Sequence, residues 1–450
     1  MSDVGKNLEK HYRFDTLKVR AAYDSEKHNY AVSVPIYQTA SYDLGCTARA
    51  ERLFRFEELG WRYSRGSNPT VNVFEQRVAA LDGGTGGLAL ASGMAAITYT
   101  LLNLAENGGR ILSTPWLYGG TADGFKKIFP RLGIHVDALT DLSDLDALEK
   151  RIEPDTKALF VESISNPNGV IADIEALAEV TRRHGIPLVV DNTFATPALL
   201  RPIDYGADIV VYSATKALTG HGNLIAGVVV ESGKFPWDNG KFPQFLEKHH
   251  TLRTLDGQPR NILEVFPDAP FTSRIRAHYL ACTGATLGPF EAYLALVGIE
   301  TLSERIRKQL ENTRKVTEYL QGNKHVAWVR YSSLPDSPYC ELAKKYLPEG
   351  AGSTFSFGLQ GGEKQVEAFI DSTRLFSYHV NVGDARSLIV NPAKTTHGEL
   401  TPDEQAKAGI EPNLIRLSIG IEDPQDLIED LEQAFVSTFR QDERHGERQD

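Results

Sequence analysis

The stretch IPLVVDNTFATPALLRPIDYGADIVVYSATK, Ile186 to Lys216, decides the fold. Two Val-rich runs of strand length, Ile186 to Asp191 and Asp208 to Ser213, each end at residues able to do chemistry: Asp191 on the first, and Ser213, Thr215 and Lys216 on the second. Outward from them the pattern repeats. Apolar runs at Leu88 to Ala91, Arg110 to Ser113, Ala158 to Glu162 and Leu224 to Val230 alternate with helical segments. In one of these segments Ile174, Leu177 and Ala178 take the i, i+3, i+4 spacing of an amphipathic crossover helix. Such alternation predicts an α/β fold with a large, mostly parallel sheet covered by helices on both faces.

From about Pro289 the character changes. Leu302, Ile306, Leu310, Thr313, Val316 and Leu320 mark the buried face of one long helix, read as the bridge into a smaller α+β domain. That domain has strands predicted at His325 to Tyr331, Ser353 to Leu359, Arg386 to Val390 and Ile415 to Ile421, and a closing helix carrying Leu427, Leu431, Phe435 and Phe439. The expected organisation is an N-terminal arm (1–70), a large domain (71–288), a C-terminal domain including the bridging helix (289–440) and a charged, disordered tail (441–450).

Composition narrows the function. The 450 residues carry 48 basic and 59 acidic side chains, for a net charge of −11, and the basic residues are scattered, which excludes nucleic acid as a partner. Three widely spaced cysteines, Cys46, Cys282 and Cys340, supply neither a disulfide framework nor a metal-ligand set, so a reducing cytoplasm and no metal are expected. The stretch Gly83 to Ala105 is uncharged, but its glycines and hydroxyl residues predict a loop, a strand and a buried helix rather than a membrane span.

The chemistry gathers at predicted strand ends, where α/β folds place ligands. A lysine in a low-dielectric strand end can lose its proton and form a Schiff base, and Ser213 and Thr215 beside Lys216 could hold an anionic group. Asp191, one strand-to-strand step earlier, needs a cationic partner if buried, and a protonated pyridine nitrogen is one. Gly93 in LALASGMAA opens a helix at which a phosphate would meet free N–H groups and a positive dipole end. Tyr118 in LYGGT offers a ring to lie over a flat cofactor, and Asn166 in ESISNP an amide for a phenolic oxygen. Each has a second reading alone: a solvated lysine, a helix-capping aspartate, an ordinary tight turn, a loop residue. Their shared placement in order along the chain, with Arg416 later, argues for one site.

These segments resemble the Cys/Met-metabolism family of pyridoxal phosphate enzymes, of fold type I, over about Thr16 to Phe439. VPIYQTASY (Val34 to Tyr42), YSRGSNPT (Tyr63 to Thr70), ASGMAA, LYGGT, VDNTFATP, SATK and IRLSIGIED (Ile415 to Asp423) match family motifs in order. Within the family, GADIVVYSATK, VGDARSLIVNPAKTTHGELTPDEQ and the KYLPEGAG stretch are most similar to the O-acetylhomoserine sulfhydrylase branch, with Asn381 to Asp384 standing where that branch has an Asn-Leu-Gly-Asp type sequence. The resemblance implies pyridoxal 5'-phosphate on Lys216, with Asp191 at its ring nitrogen, Tyr118 stacked on the ring, Asn166 nearby, and Gly93, Met94, Ser213 and Thr215 at its phosphate. It implies Arg416 and Asn381 at the substrate, and Tyr63 and Arg65 reaching a neighbouring subunit's phosphate in a homotetramer built from dimers. Lys216, Tyr118 and Tyr63 would be catalytic.

The implied reaction is γ-replacement on O-acetyl-L-homoserine by sulfide or a small thiol. The alternatives are a bulkier or carbon nucleophile, cystathionine γ-synthase or methionine γ-lyase activity, and a non-catalytic regulator of the same fold. Three segments depart from family patterns: Asn391 and Lys394 in IVNPAKTTH, His249 to Phe266, and GNLIAG (Gly222 to Gly227). An ammonium at Lys394 would favour an anionic acceptor if it faces the site, and would leave sulfide in place if it points to solvent.

Overall fold

Asn68 starts the first long helix by accepting the N–H groups of Thr70 and Val71, with Pro69 at the first helical position and Gly83, at φ +76°, ending it. This helix, α1 (Pro69–Asp82), leads into strand β1 (Gly86–Leu90) and helix α2 (Gly93–Ala105), which Ser92 caps through the Ala95 N–H. The chain continues through β2 (Gly109–Ser113), β3 (Ile134–Ala138), β4 (Thr156–Glu162), helix α3 (Ile174–Arg183), β5 (Leu188–Asp191), β6 (Ile209–Ser213) and β7 (Gly227–Glu231). The computed structural model describes residues 12–446 apart from 107, 140, 167, 254–256, 397, 399, 400 and 408.

The seven strands form one sheet in the order β1-β7-β6-β5-β4-β2-β3. Strands β2 to β6 pair in parallel, and β7 runs antiparallel between β6 and β1. Both faces are covered. Leu88, Phe160, Val189, Val211 and Val229 pack with α2 on one side, while Ala89, Val161, Val190, Val210 and Val228 pack with α1 and α3 on the other. Burial on both faces is why these strands read as unbroken apolar runs rather than alternating ones. The sequence reading missed β3, an edge strand whose Arg- and Asp-bearing neighbourhood hides its period, and it started the last strand at Leu224 instead of Gly227.

Strands β8 (His249–Arg253) and β9 (Pro259–Arg260) pair antiparallel after β7, and further along come two helices, α4 (Pro289–Glu300) and α5 (Leu302–Gln321). The buried face of α5 includes the expected Leu302, Ile306, Thr313, Val316 and Leu320, with Leu310 partly buried. It is wider than expected, because Arg305, Gln309, Asn312 and Thr317 are buried as well. A second sheet has the order β10-β11-β14-β13-β12, from β10 (Val326–Arg330), β11 (Thr354–Leu359), β12 (Ser377–Tyr378), β13 (Leu388–Val390) and β14 (Leu414–Ser418), with helix α6 (Glu363–Ser372) between β11 and β12. The closing helix, α7 (Pro424–Gly446), buries Leu427, Leu431 and Phe435. It runs on through 441–446, where a disordered tail was expected, since no helix-stopping residue stands before Gly446; 447–450 lie outside the described residues. Among the described residues no helix is long and apolar enough to cross a membrane.

One close approach fixes how α2 meets the sheet. A Cβ on Gly227 would lie 2.0 Å from the Ser92 carbonyl oxygen, a backbone atom with no room to yield. Gly227→Ala is expected to destabilise the fold by about 1–3 kcal/mol, read in equilibrium unfolding as a lower urea midpoint with an unchanged slope.

Candidate active site

Parallel pairing brings the carboxyl ends of β4, β5 and β6 side by side. Glu162 and Asp191 stand opposite each other in register. Asp191 Oδ1 accepts the Thr193 N–H (3.0 Å) and the Thr193 hydroxyl (2.6 Å), and that hydroxyl oxygen accepts the Ser213 N–H at 2.8 Å. Glu162 accepts the Tyr118 N–H at 2.6 Å and the Asn166 N–H at 3.3 Å. Burial pushes Asp191 up to about 6, and burial together with the charge of Asp191 pushes Glu162 well above the usual carboxylate range. Among the described residues no cation shifts either acid of this pair, an arrangement that suits one.

The amine comes from the next strand end. Lys216 lies in a turn after β6, held by its N–H to the Ser213 carbonyl (3.0 Å), and its Nζ donates to Asn381 Oδ1 at 2.8 Å. Burial, and then the charge of Arg416, lower the Lys216 ammonium below its ordinary pKa. Arg416 projects from β14 of the second sheet. Its Nη1 donates to Asn166 Oδ1 (2.9 Å) and its Nη2 to the Asn381 carbonyl (3.3 Å), and burial lowers it to about 10. Lys216, Asn381, Arg416 and Asn166 therefore form one hydrogen-bonded chain joining the two sheets.

At the start of α2 the Ser92 hydroxyl takes the Ala95 N–H, and the first-turn N–H groups of Gly93 and Met94 belong to the helix end that favours anions. A side chain on Gly93 would sit 2.6 Å from Ser213 Cβ, so Gly93 lets this helix end come up against β6. The Thr215 hydroxyl is tied to Ala226, accepting its N–H at 2.9 Å and donating to its carbonyl at 3.3 Å. Its O–H would have to leave that carbonyl before it could donate to an anion.

Other expected residues stand elsewhere. Tyr63 and Arg65 lie exposed, with the Arg65 guanidinium 5.4 Å from the Tyr63 ring. The ring of Tyr118 is 44% exposed at the start of a short helix. Lys394 is exposed and ion-paired with Glu363 (2.6 Å) and Glu367 on α6, so it brings no unpaired ammonium to an acceptor. In the segment His249 to Phe266, His249 packs on His278, Phe266 packs edge-on against Phe56, and Arg260 donates to the Arg55 carbonyl. The sequence reading assigned no role to Glu162, Thr193 or Arg305. Glu162 carried one usable signal, a carboxylate closing an apolar strand.

The fold and these strand-end groups define a fold-type-I enzyme dependent on pyridoxal phosphate. Residues 15–436 match the family model for Cys/Met metabolism PLP-dependent enzymes, and the chain belongs to that family. It is 43% identical over 428 residues to O-acetyl-L-homoserine sulfhydrylase 1 of Thermus thermophilus, covering 94% of this chain and all of the relative. It is 42% identical over 425 residues to homocysteine synthase of Schizosaccharomyces pombe, covering 94% and 98%. Among solved structures, a Campylobacter jejuni protein carrying N'-pyridoxyl-lysine-5'-monophosphate superposes with a TM-score of 0.89 at 38% identity, covering 95% of this chain and 100% of that one.

Asp191 supplies a pH test on the cofactor-free protein. Its folded pKa is raised from 3.8 to about 6, so the folded state holds the proton more tightly and stability falls as pH rises through that window. Relative to wild type, Asp191→Asn is expected to gain roughly 1–3 kcal/mol between pH 4 and pH 7, read from urea titrations.

Proposed function

We propose that the protein catalyses γ-replacement on O-acetyl-L-homoserine, with sulfide or a small thiol displacing acetate to give homocysteine or a thioether. The observation that carries this reading is the chain from Lys216 through Asn381 and Arg416 to Asn166, which sets an amine of lowered pKa beside a guanidinium able to take a carboxylate. The names of the relatives support the choice of ester and nucleophile.

The residues present fit pyridoxal 5'-phosphate. Among the described residues no cation acts on Asp191, and a pyridinium nitrogen would supply one; Lys216 offers the amine for its aldehyde, and the α2 start cleared by Gly93 offers amides, with Met94 and Ser213, for its phosphate. Tyr118 would cover the ring, and Thr215 would serve the phosphate after releasing Ala226. The bound group supplies an electron sink for charge developing on substrate carbon. Arg416 binds the substrate carboxylate through its two parallel N–H groups, exchanging Asn166 and Asn381 as acceptors. Without the cofactor, Asn381 holds the Lys216 amine in place. Lys216 would take a proton from the substrate α-carbon and, only after handing it on and so regaining a free amine, take another from the β-carbon, so that acetate can leave from the γ-carbon. Tyr118 is the acid/base candidate at the leaving group.

The active assembly in this reading is a homotetramer built from dimers, in which Tyr63 and Arg65 of one chain complete a neighbour's phosphate site. Their exposure here supports it, as do Tyr30, Val32 and Leu59 of the same N-terminal region, which are 73%, 91% and 74% exposed. The unpaired cysteines suit a cytoplasmic setting.

Two experiments test the reading. Purified protein incubated with pyridoxal phosphate is expected to show a visible absorbance band that Lys216→Ala lacks, and sulfide is expected to outperform larger nucleophiles in an acceptor panel on O-acetyl-, O-succinyl- and O-phospho-homoserine read by mass spectrometry. Because Lys394 is paired on α6, Lys394→Ser should leave the acceptor ranking unchanged. Preferred cleavage of methionine without an acceptor, or preference for cysteine, would replace this assignment by the lyase or cystathionine-forming alternative. Separately, inactive Lys216→Ala and Arg65→Ala chains, mixed into hybrids, are expected to regain part of the activity.

A further inference from the structure

Buried carboxylates in this protein serve different ends. Glu231 accepts the Phe271 and Thr272 N–H groups and the Thr272 hydroxyl, all at the start of one short helix, and so ties scaffold to scaffold. Glu162 is equally buried, but its two acceptor oxygens go to different loops. Oε1 takes the N–H of Tyr118, which follows β2, and Oε2 takes the N–H of Asn166, which follows β4 itself. Both loops carry side chains of the site. Asn166 hands its amide oxygen to Arg416, and Tyr118 presents its exposed ring from a backbone whose N–H is fixed by Glu162.

We propose that Glu162 is a positioning residue: from its place beside Asp191 it holds the Tyr118 and Asn166 loops at a fixed separation across the mouth of the site. The proposal rests on the pyridoxal phosphate reading above. It explains why a carboxyl group stands at this strand end, where an apolar residue would be cheaper to bury. Two N–H donors converge on it from opposite loops, and a carboxyl group offers an acceptor oxygen to each. A glutamine of the same size would turn an NH2 toward one of them and leave that backbone N–H unpaired. The loops would then be tied singly. Asn166, and through it Arg416, would lose its fixed relation to the Tyr118 ring, without loss of any group that touches substrate or cofactor.

The test compares wild type with Glu162→Gln and Glu162→Ala. In cofactor-free protein, amide hydrogen exchange at Tyr118 or Asn166 is expected to accelerate at least tenfold in Glu162→Gln, and at both residues in Glu162→Ala. In loaded protein, borohydride reduction should still place pyridoxyl phosphate on Lys216, while the circular dichroism of the visible band changes and kcat falls about tenfold or more with KM within about threefold. If Glu162→Ala fails to fold, the isosteric glutamine variant decides alone. Wild-type exchange at both amides overturns the proposal, and so does faster exchange with unchanged dichroism and kcat. A fall in activity matched by lost folded or loaded protein, with unchanged dichroism, also overturns it and leaves Glu162 a core residue. Should the wild type not use O-acetylhomoserine at all, the functional reading fails by itself, and the exchange and dichroism measurements still judge Glu162.

Discussion

The guanidinium of Arg305 lies where the chain must be held for a site to exist. It donates to the carbonyls of Ala217 (2.9 Å) and Leu218 (3.2 Å), directly after Lys216, and to that of Gly298 at the end of α4 (2.9 Å). Gly220 must be bare for this, because a Cβ there would fall 1.8 Å from Arg305 Nη1. Burial lowers Arg305 to about 10, which leaves it charged at neutral pH and able to make charge-assisted bonds to these carbonyls. The turn that aims Lys216 is thereby fastened to the scaffold from below.

The same helix face continues the grip. Gln309 donates to the Asp384 carbonyl, and Asn312 donates to the carbonyls of Gly420 and Glu422. At spacings of four and three residues these side chains line one seam of α5. The seam fastens, in turn, the Lys216 turn, the Asn381–Asp384 loop and the segment leaving β14 beyond Arg416. Groups from two sheets can meet within hydrogen-bond distance because one rigid helix serves as the common reference for both. The electrostatics follow from that meeting: the acids at the ends of β4 and β5, and Lys216 and Arg416, are each displaced from their ordinary pKa chiefly by burial.

Much of this was legible in the sequence. Asp191 and Lys216 announced themselves because a charged residue at the end of a doubly buried strand has few structural uses, and the parallel sheet set β5 and β6 side by side as the strand spacing implied. Other features were legible only in part. Glu162 read as the last residue of a strand, and its meaning depends on which N–H groups converge on it. Arg305, Gln309 and Asn312 read as the wet side of an amphipathic helix, since polarity at helical spacing is the same whether the face meets water or buried carbonyls. Lys394 invited a role beside the substrate, which its pairing with Glu363 and Glu367 removes.

By itself the sequence determined the local and the repetitive: strands set by unbroken Val-rich runs, helices started by Asn68 and Ser92, glycines where backbones must touch, and the reactive side chains at strand ends. These depend on propensity, period and covalent neighbours, all of which are written along the chain. Only the tertiary structure decided that β7 runs antiparallel between β6 and β1, that Asn381 and Arg416 from the second sheet close over Lys216, and that α5 carries a buried polar seam. Those outcomes rest on hydrogen bonds between residues far apart in sequence, whose partners no local pattern names.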